Sequence, residues 1–159
     1  MEHTIRRVVT GHDASGSAVI WKDERFAMAP IGGGIAWFGR LWSTDRSPAD
    51  NSAAVDGALR ETGLTCPGGT VLRVVDIPPG ARSPMHRTHS IDYGIVLEGE
   101  IVLELDEGRQ TRVRAGEVIV QRGTNHAWIN DTDRTTRIAF VLVDARPLEF
   151  GGQELPATL

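Results

Sequence analysis

The residues best suited to chemistry cluster at one place in the chain, where His86, His89 and Asp92 fall within seven positions of one another. Another histidine, His126, follows further along. Neutral imidazole nitrogens and carboxylate oxygens suit Fe(II), Mn(II), Ni(II) or Zn(II), and two histidines with one carboxylate leave coordination positions open for a substrate. The same side chains could instead form hydrogen bonds within a polar pocket that binds no metal. Spacing alone leaves both readings open.

Strand alternation predicts which side chains join this group. Residues two apart on a strand share a face, so a predicted strand over Ser83–Thr88 places His86 and Thr88 together. By the same rule, Trp128 lies on the face of His126. We therefore expect Thr88 and Trp128 to contact a bound small molecule.

The elements that carry these residues are short β-like runs separated by Gly, Pro, Asn and Asp, and no helical pattern exceeds about three turns. This pattern is typical of an all-β sandwich or barrel. We predict a single domain over 1–159, with N-terminal strands in 1–44, a loop in 45–68, a barrel in 69–145 and a C-terminal tail in 146–159. The loop is predicted to contain a short helix near Ala53–Glu61, and either covers the barrel mouth as a lid or lies on the surface in solvent.

Composition excludes several classes of partner. The 159 residues have a net charge of −4, and the arginines are interleaved with acids, so no basic face for nucleic acid is expected. No apolar run approaches the roughly 18 residues of a membrane span, and the N-terminus lacks a signal-peptide pattern. Cys66 is the only cysteine, which rules out an internal disulfide. We expect a cytoplasmic protein that binds neither nucleic acid nor membrane.

The first chemical segment resembles a known motif. Gly80, five residues, His86, and then Asp92, six residues, Gly99 is similar to the first motif of the cupin superfamily: Gly, five residues, His-x-His, three or four residues, Glu, six residues, Gly. His86 matches the first ligand and Asp92 replaces the Glu. Thr88 falls where the second histidine of the motif stands.

The second segment, from Gly116 through Gly123 to His126 and Asn130, resembles the second cupin motif, in which His126 matches the last ligand. It lacks the usual proline before Gly123 and is one residue short, so Gln121 is expected to project into the pocket. The chain also resembles small single-domain cupins, of the cupin type-2 barrel kind, found in bacteria and in fungal secondary-metabolite clusters.

The resemblance implies a double-stranded β-helix, or jelly roll, with a divalent metal (Zn, Mn, Ni or Fe) held inside by His86, Asp92 and His126. His89 sits one residue late for the motif. A regular strand points its side chain out of the barrel, whereas a bulge at Thr88 turns it inward as a further ligand; we favour the bulge.

The resemblance favours an enzyme of lyase or isomerase type that performs non-redox chemistry on a small aromatic or polyketide-like molecule: dehydration, isomerisation, cyclisation or decarboxylation. The alternatives are an Fe(II)-dependent dioxygenase and a small-molecule binding cupin without catalysis. Tyr93 and Ile95 alternate on the outward face of a predicted strand, so we also expect a homodimer that buries them.

Overall fold

The regular secondary structure of the described residues is almost entirely β-strand. The computed structural model describes residues 3–52 and 54–158, and over these ranges the chain forms thirteen strands. The strands are β1 (Thr4–His12), β2 (Ala18–Ala27), β3 (Ala29–Ile31), β4 (Ala36–Thr44), β5 (Thr70–Ile77), β6 (Ser90–Glu98), β7 (Glu100–Leu105), β8 (Gln110–Arg114), β9 (Val118–Arg122), β10 (His126–Ile129), β11 (Thr136–Asp144), β12 (Glu149–Phe150) and β13 (Gln153–Glu154).

Two sheets form the body of the molecule. The larger has the order β3-β4-β5-β11-β6-β9, and the smaller has the order β10-β7-β8. Inward-facing side chains from both sheets form one core, which joins Val75 and Ile138 of the larger sheet to Ile101 and Leu103 of the smaller. This arrangement confirms the prediction of an all-β double-stranded β-helix.

The outer face of the larger sheet at β4 and β5 is covered by the N-terminal hairpin of β1 and β2. Phe26 of that hairpin packs with Met28, Leu41 and Val74 in a second, smaller apolar cluster. His3 stacks on Trp37, with ring centroids 3.9 Å apart. The hairpin therefore shields one side of β4 and β5 and leaves their other side to face the barrel interior.

The short helix predicted near Ala53–Glu61 is wrong for the described residues; Ala53 itself lies outside them. In the chain that the structure describes, the only helical element is a 3₁₀ turn at Asp106–Gly108. The segment around Asp56 instead forms a turn, with the Leu59 N–H donating to the Asp56 carbonyl at 3.0 Å. Tertiary contacts override the weak local helix pattern, because the buried Asp56 carboxylate accepts two hydrogen bonds from Arg7 at 2.8 Å each.

The predicted strand at Ser83–Thr88 is also wrong, since the segment makes only isolated β-bridges. Pro84 has no N–H to donate, which interrupts any regular ladder. His86 then pairs with β10 on one side, and Arg87 pairs with Thr158 on the other. Within residues 3–52 and 54–158, no helix is long and apolar enough to cross a membrane.

Candidate functional site

His86 and His126 are held together by their backbones. The His86 N–H donates to the His126 carbonyl at 2.8 Å, and the His126 N–H donates to the His86 carbonyl at 2.9 Å. This antiparallel pairing brings the two imidazole rings to a centroid distance of 4.1 Å. On its other side, the His126 ring meets the Trp128 indole edge-on at 5.4 Å. The two rings are therefore held where residues 82–87, which we call the bridging segment, meet β10.

Each of these rings is oriented by a backbone carbonyl two residues earlier. Nδ1 of His86 lies 2.9 Å from the Pro84 oxygen, and Nδ1 of His126 lies 3.0 Å from the Thr124 oxygen. A carbonyl only accepts hydrogen bonds, so in both rings Nδ1 carries the proton and Nε2 keeps its lone pair. Histidines that bind metals are oriented in the same way, by a hydrogen bond from the ring nitrogen that does not bind the metal.

The environment keeps the His126 ring uncharged. Burial, with a smaller contribution from His86 in its protonated form, lowers the pKa of His126 to about 4. The side-chain nitrogen of Gln121 lies 2.8 Å from Nδ1 and 3.0 Å from Nε2 of His126, and with the proton on Nδ1 it can donate only to Nε2. The Gln121 Oε1 is buried without a hydrogen-bond partner within the described residues. Gln121 thus packs against His126 rather than lining the open space beside it.

Asp92 is the buried carboxyl of the site. The Ser90 hydroxyl donates to its Oδ1 at 2.5 Å and lies 2.9 Å from the Thr88 hydroxyl. Burial raises the pKa of Asp92, although the Ser90 hydrogen bond and the charges of Arg73 and His86 oppose that shift. The acid form of Asp92 therefore persists to higher pH than that of an ordinary aspartate.

These groups face a cavity of about 110 Å³, several times the 10–15 Å³ that one water molecule requires. Its polar side is formed by Arg73, Ser83, His86, Thr88, Asp92 and His126. The rest of the lining is apolar and consists of Ile31, Ile35, Ala36, Phe38, Leu64, Val75, Ile77, Trp128, Phe140 and Leu142. Such a lining suits a small, mostly apolar molecule with a few polar groups.

The structure brings together most of the side chains that the sequence singled out. His86, Thr88, Asp92, His126 and Trp128 all line the cavity. Asp92, His126 and Trp128 reach the cavity from regular strands, whereas His86 and Thr88 reach it from a segment that makes only isolated β-bridges.

His89 lies elsewhere, contrary to the favoured bulge. Its Nε2 is 3.1 Å from the Leu155 carbonyl, and its own carbonyl accepts the Ala145 N–H at 3.1 Å. Ring and backbone both pair with the C-terminal segment, and His89 lines a different cavity with Arg122 and Arg146. The ring nitrogen and the backbone carbonyl of His89 both have hydrogen-bond partners in this C-terminal segment, which holds the side chain away from the barrel interior.

Sequence reasoning missed Arg73, which lines the cavity from β5. The signal was present: Arg73 alternates with Val71, Val75 and Ile77, all of which belong to the buried core. An arginine in register with three core residues faces the interior, although arginines in a chain of this composition read at first as surface residues.

The donor types at the site fit a divalent metal, since two oriented imidazoles and a carboxylate face one cavity. Their positions do not form a complete site. Among the described residues, no group of three His, Cys, Asp or Glu side chains is close enough together to hold a metal ion.

Comparison with known proteins gives consistent matches. A family model described as a cupin domain matches residues 73–143. "Phomopsin biosynthesis cluster protein C'" of Diaporthe leptostromiformis is 42% identical over 96% of this chain and 85% of its own length. "Cupin-domain-containing oxidoreductase fogC" of Aspergillus ruber is 35% identical over 96% of this chain and 79% of its own length. A cupin 2 conserved barrel domain protein from Salinispora arenicola matches in fold, with a TM-score of 0.52 and 20% identity over 74% of this chain and 82% of its own.

Proposed function

The chain belongs to the cupin family, and on this basis we propose that it is an enzyme of small-molecule biosynthesis that performs non-redox acid–base chemistry on a mostly apolar ligand in its barrel. The relatives support the biosynthetic role, because one is named for a biosynthesis cluster. The observation that carries the chemistry is the placement of a buried carboxyl and two oriented imidazoles on the polar side of a mostly apolar cavity.

The proposed roles follow from the protonation states. His86 has its Nδ1 proton on the Pro84 carbonyl, so its Nε2 lone pair accepts a proton from the ligand. Asp92, with its raised pKa, supplies a proton to the ligand at a second atom. His126 stays neutral and holds His86 in place through the paired backbone. A base and an acid in one apolar cavity suit isomerisation, dehydration, cyclisation or decarboxylation.

We further propose that a divalent metal (Zn, Mn, Ni or Fe) binds at His86, His126 and Asp92. The fixed Nδ1 contacts of both histidines support this assignment. A bound metal would take up the Nε2 lone pair of His86 and the carboxylate of Asp92, so it would act as a Lewis acid on an oxygen of the ligand in place of the proton transfers by these two residues. The third donor has to move nearer to the pair, since the described side chains do not yet form a three-residue group.

Two other functions are each favoured by one observation. Relatives are named oxidoreductases, which favours oxygenation with Fe(II) as the metal and O₂ as the oxidant. The incomplete metal group, with Thr88 at the position of the family's second histidine, favours a binding protein without catalysis.

A homodimer is part of the proposal. Tyr93 on β6 and its neighbours Val118 and Val120 on the edge strand β9 are 43%, 60% and 57% exposed. A second copy that covers this face would remove from water both the apolar side chains and the free edge of the sheet.

The proposed function is tested by incubating the purified, metal-reconstituted protein with a small-molecule extract of the cells that make it, with and without O₂. Mass spectrometry should show a compound consumed without O₂ and a product of unchanged mass or one that has lost water or CO₂. Conversion only in the presence of O₂ would support the oxygenase instead. Tight binding without conversion would support the binding protein.

A further inference from the structure

We infer that Arg73 makes the cavity selective for a small apolar acid, whose carboxylate accepts hydrogen bonds from the Arg73 guanidinium. This inference names the substrate class of the proposed function and rests on it, because it takes the cavity to be the ligand site. It uses a residue that neither the sequence motifs nor the acid–base roles above require.

The position of Arg73 is the first observation. The residue is 6% exposed and stands on β5 between the core residues Val71 and Val75. Its side chain lines the same cavity as His86 and Asp92. A charged group in an apolar interior is costly unless it is paired, so a buried arginine normally has a carboxylate or another strong acceptor.

The second observation is that the pairing of Arg73 is incomplete. Nη2 donates to the Leu64 carbonyl, and the guanidinium carbon lies 5.3 Å from the centre of the Phe38 ring. Nε is buried and has no hydrogen-bond partner within the described residues. Asp92 acts on the guanidinium through space and not through a hydrogen bond. Donor capacity therefore remains on the guanidinium of a residue that lines the cavity.

Arg7 shows what a satisfied buried arginine looks like in this protein. Arg7 is also 6% exposed, but it donates two hydrogen bonds of 2.8 Å to Asp56 and others to Glu24. Burial lowers the pKa of Arg73 to about 10, so Arg73 is still charged at neutral pH. Arg73 thus carries a full charge without the direct carboxylate partner that Arg7 has.

A ligand carboxylate would supply the missing acceptor. The planar guanidinium fork matches the geometry of a carboxylate, and such charge-assisted bonds are among the strongest in proteins. The rest of the ligand would lie against Phe38, Phe140 and Leu142, which are apolar. A carboxylate held at Arg73 fixes the orientation of the molecule relative to His86 and Asp92.

The test compares two probes of the same shape, phenylacetate and phenylacetamide, by isothermal titration against the wild-type protein. We expect the acid to bind at least about tenfold more tightly than the neutral amide. In Arg73→Gln the ratio of the two dissociation constants should fall to within about twofold. Arg73→Lys should keep part of the preference, because it retains the charge but loses the fork.

Arg40→Gln is the matched control. Arg40 also holds the loop in 45–68, through hydrogen bonds to the Ala58 and Thr62 carbonyls, but it does not line the cavity. Arg40 lies opposite Arg73 on the neighbouring strand and acts on it only through its charge, so Arg40→Gln should change the acid-to-amide ratio much less than Arg73→Gln does. This difference separates anion recognition from loop tethering. Circular dichroism checks the folding of each variant.

Equal affinity of the wild-type protein for the two probes, or no binding of either, overturns the inference even if Arg73→Gln fails to fold. The two proposals fail separately. Acid preference without turnover of any compound leaves the Arg73 inference standing and contradicts the enzyme. Turnover of a neutral substrate without a preference for the acid probe supports the enzyme and contradicts the Arg73 inference.

Discussion

His86 and His126 are joined by reciprocal backbone hydrogen bonds of 2.8 and 2.9 Å, so their rings are adjacent whatever those side chains bind. Backbone pairing survives the loss of a side chain. Each ring can therefore be removed without separating the bridging segment from β10, which makes the pair suitable for substitution.

The metal proposal predicts that His86→Ala and His126→Ala each abolish metal binding while the circular dichroism spectrum stays that of the folded barrel. The reason is that both imidazoles supply ligands but the strands pair through backbone and core. Plasma mass spectrometry of reconstituted protein measures the metal. His89→Ala is the matched control and should keep full metal content, because its ring bonds Leu155 outside the cavity. Substoichiometric metal in reconstituted wild-type protein would contradict the metal site.

His126 also predicts how stability depends on pH. Its pKa falls from 6.5 in the unfolded chain to about 4 in the fold, so the unfolded state binds the proton first as pH decreases. The stability from His126 is present above pH 6.5 and is lost as pH falls towards 4, by an amount on the order of 3 kcal/mol. Urea unfolding at pH 7 and pH 5 should show a smaller difference in His126→Gln than in wild type. An unchanged difference would show that the ring is not buried as described.

Asp92 predicts a pH dependence of stability opposite to that of His126. Its raised pKa means that the folded state holds the proton more strongly than the unfolded state. Its contribution to stability is therefore greatest at pH values below the ordinary aspartate pKa and is lost as pH rises through the raised folded pKa. At neutral pH, Asp92→Asn should consequently be at least as stable as wild type while lacking activity. A clear loss of stability in Asp92→Asn would contradict the burial penalty on this carboxyl.

The Arg7–Asp56 pair predicts a large effect on stability. Both side chains are buried, so Asp56→Ala leaves the Arg7 guanidinium without its main partner and should cost about 3 kcal/mol of unfolding free energy. The exposed pair Arg6–Asp23 is the control, and Asp23→Ala should have a much smaller effect. Similar losses in the two variants, measured by chemical denaturation, would show that the buried pair does not hold the segment around Asp56.

The dimer proposal predicts that light scattering reports two chains for wild type at tens of micromolar. Val120→Glu should give monomers, because it places a charge within the apolar face formed with Tyr93 and Val118. Val8→Glu changes a similarly exposed valine on the N-terminal hairpin, away from that face, and should remain dimeric. A monomeric wild type, or a dimer that survives Val120→Glu, would rule out this interface.

Strand alternation and motif spacing were sufficient to predict the barrel and most of the cavity. Asp92 and His126 follow from the register of regular strands, whereas His86 follows from motif spacing alone, because its predicted strand does not form. The missed features depend on distant contacts. His89 is directed outward by the C-terminal segment, and the segment around Asp56 is shaped by Arg7, far away in the sequence. The alternation of β5 predicts that Arg73 faces the interior. That its Nε has no acceptor is known only from the tertiary structure.

The most direct test of non-redox acid–base chemistry is turnover of the identified compound in deuterated water without O₂, with wild type and Asp92→Asn compared. Acid–base chemistry predicts that wild type converts the compound without O₂, with solvent deuterium in the product of an isomerisation or a decarboxylation, and that Asp92→Asn gives no product. A product that forms only with O₂ and contains oxygen from labelled O₂ would contradict it.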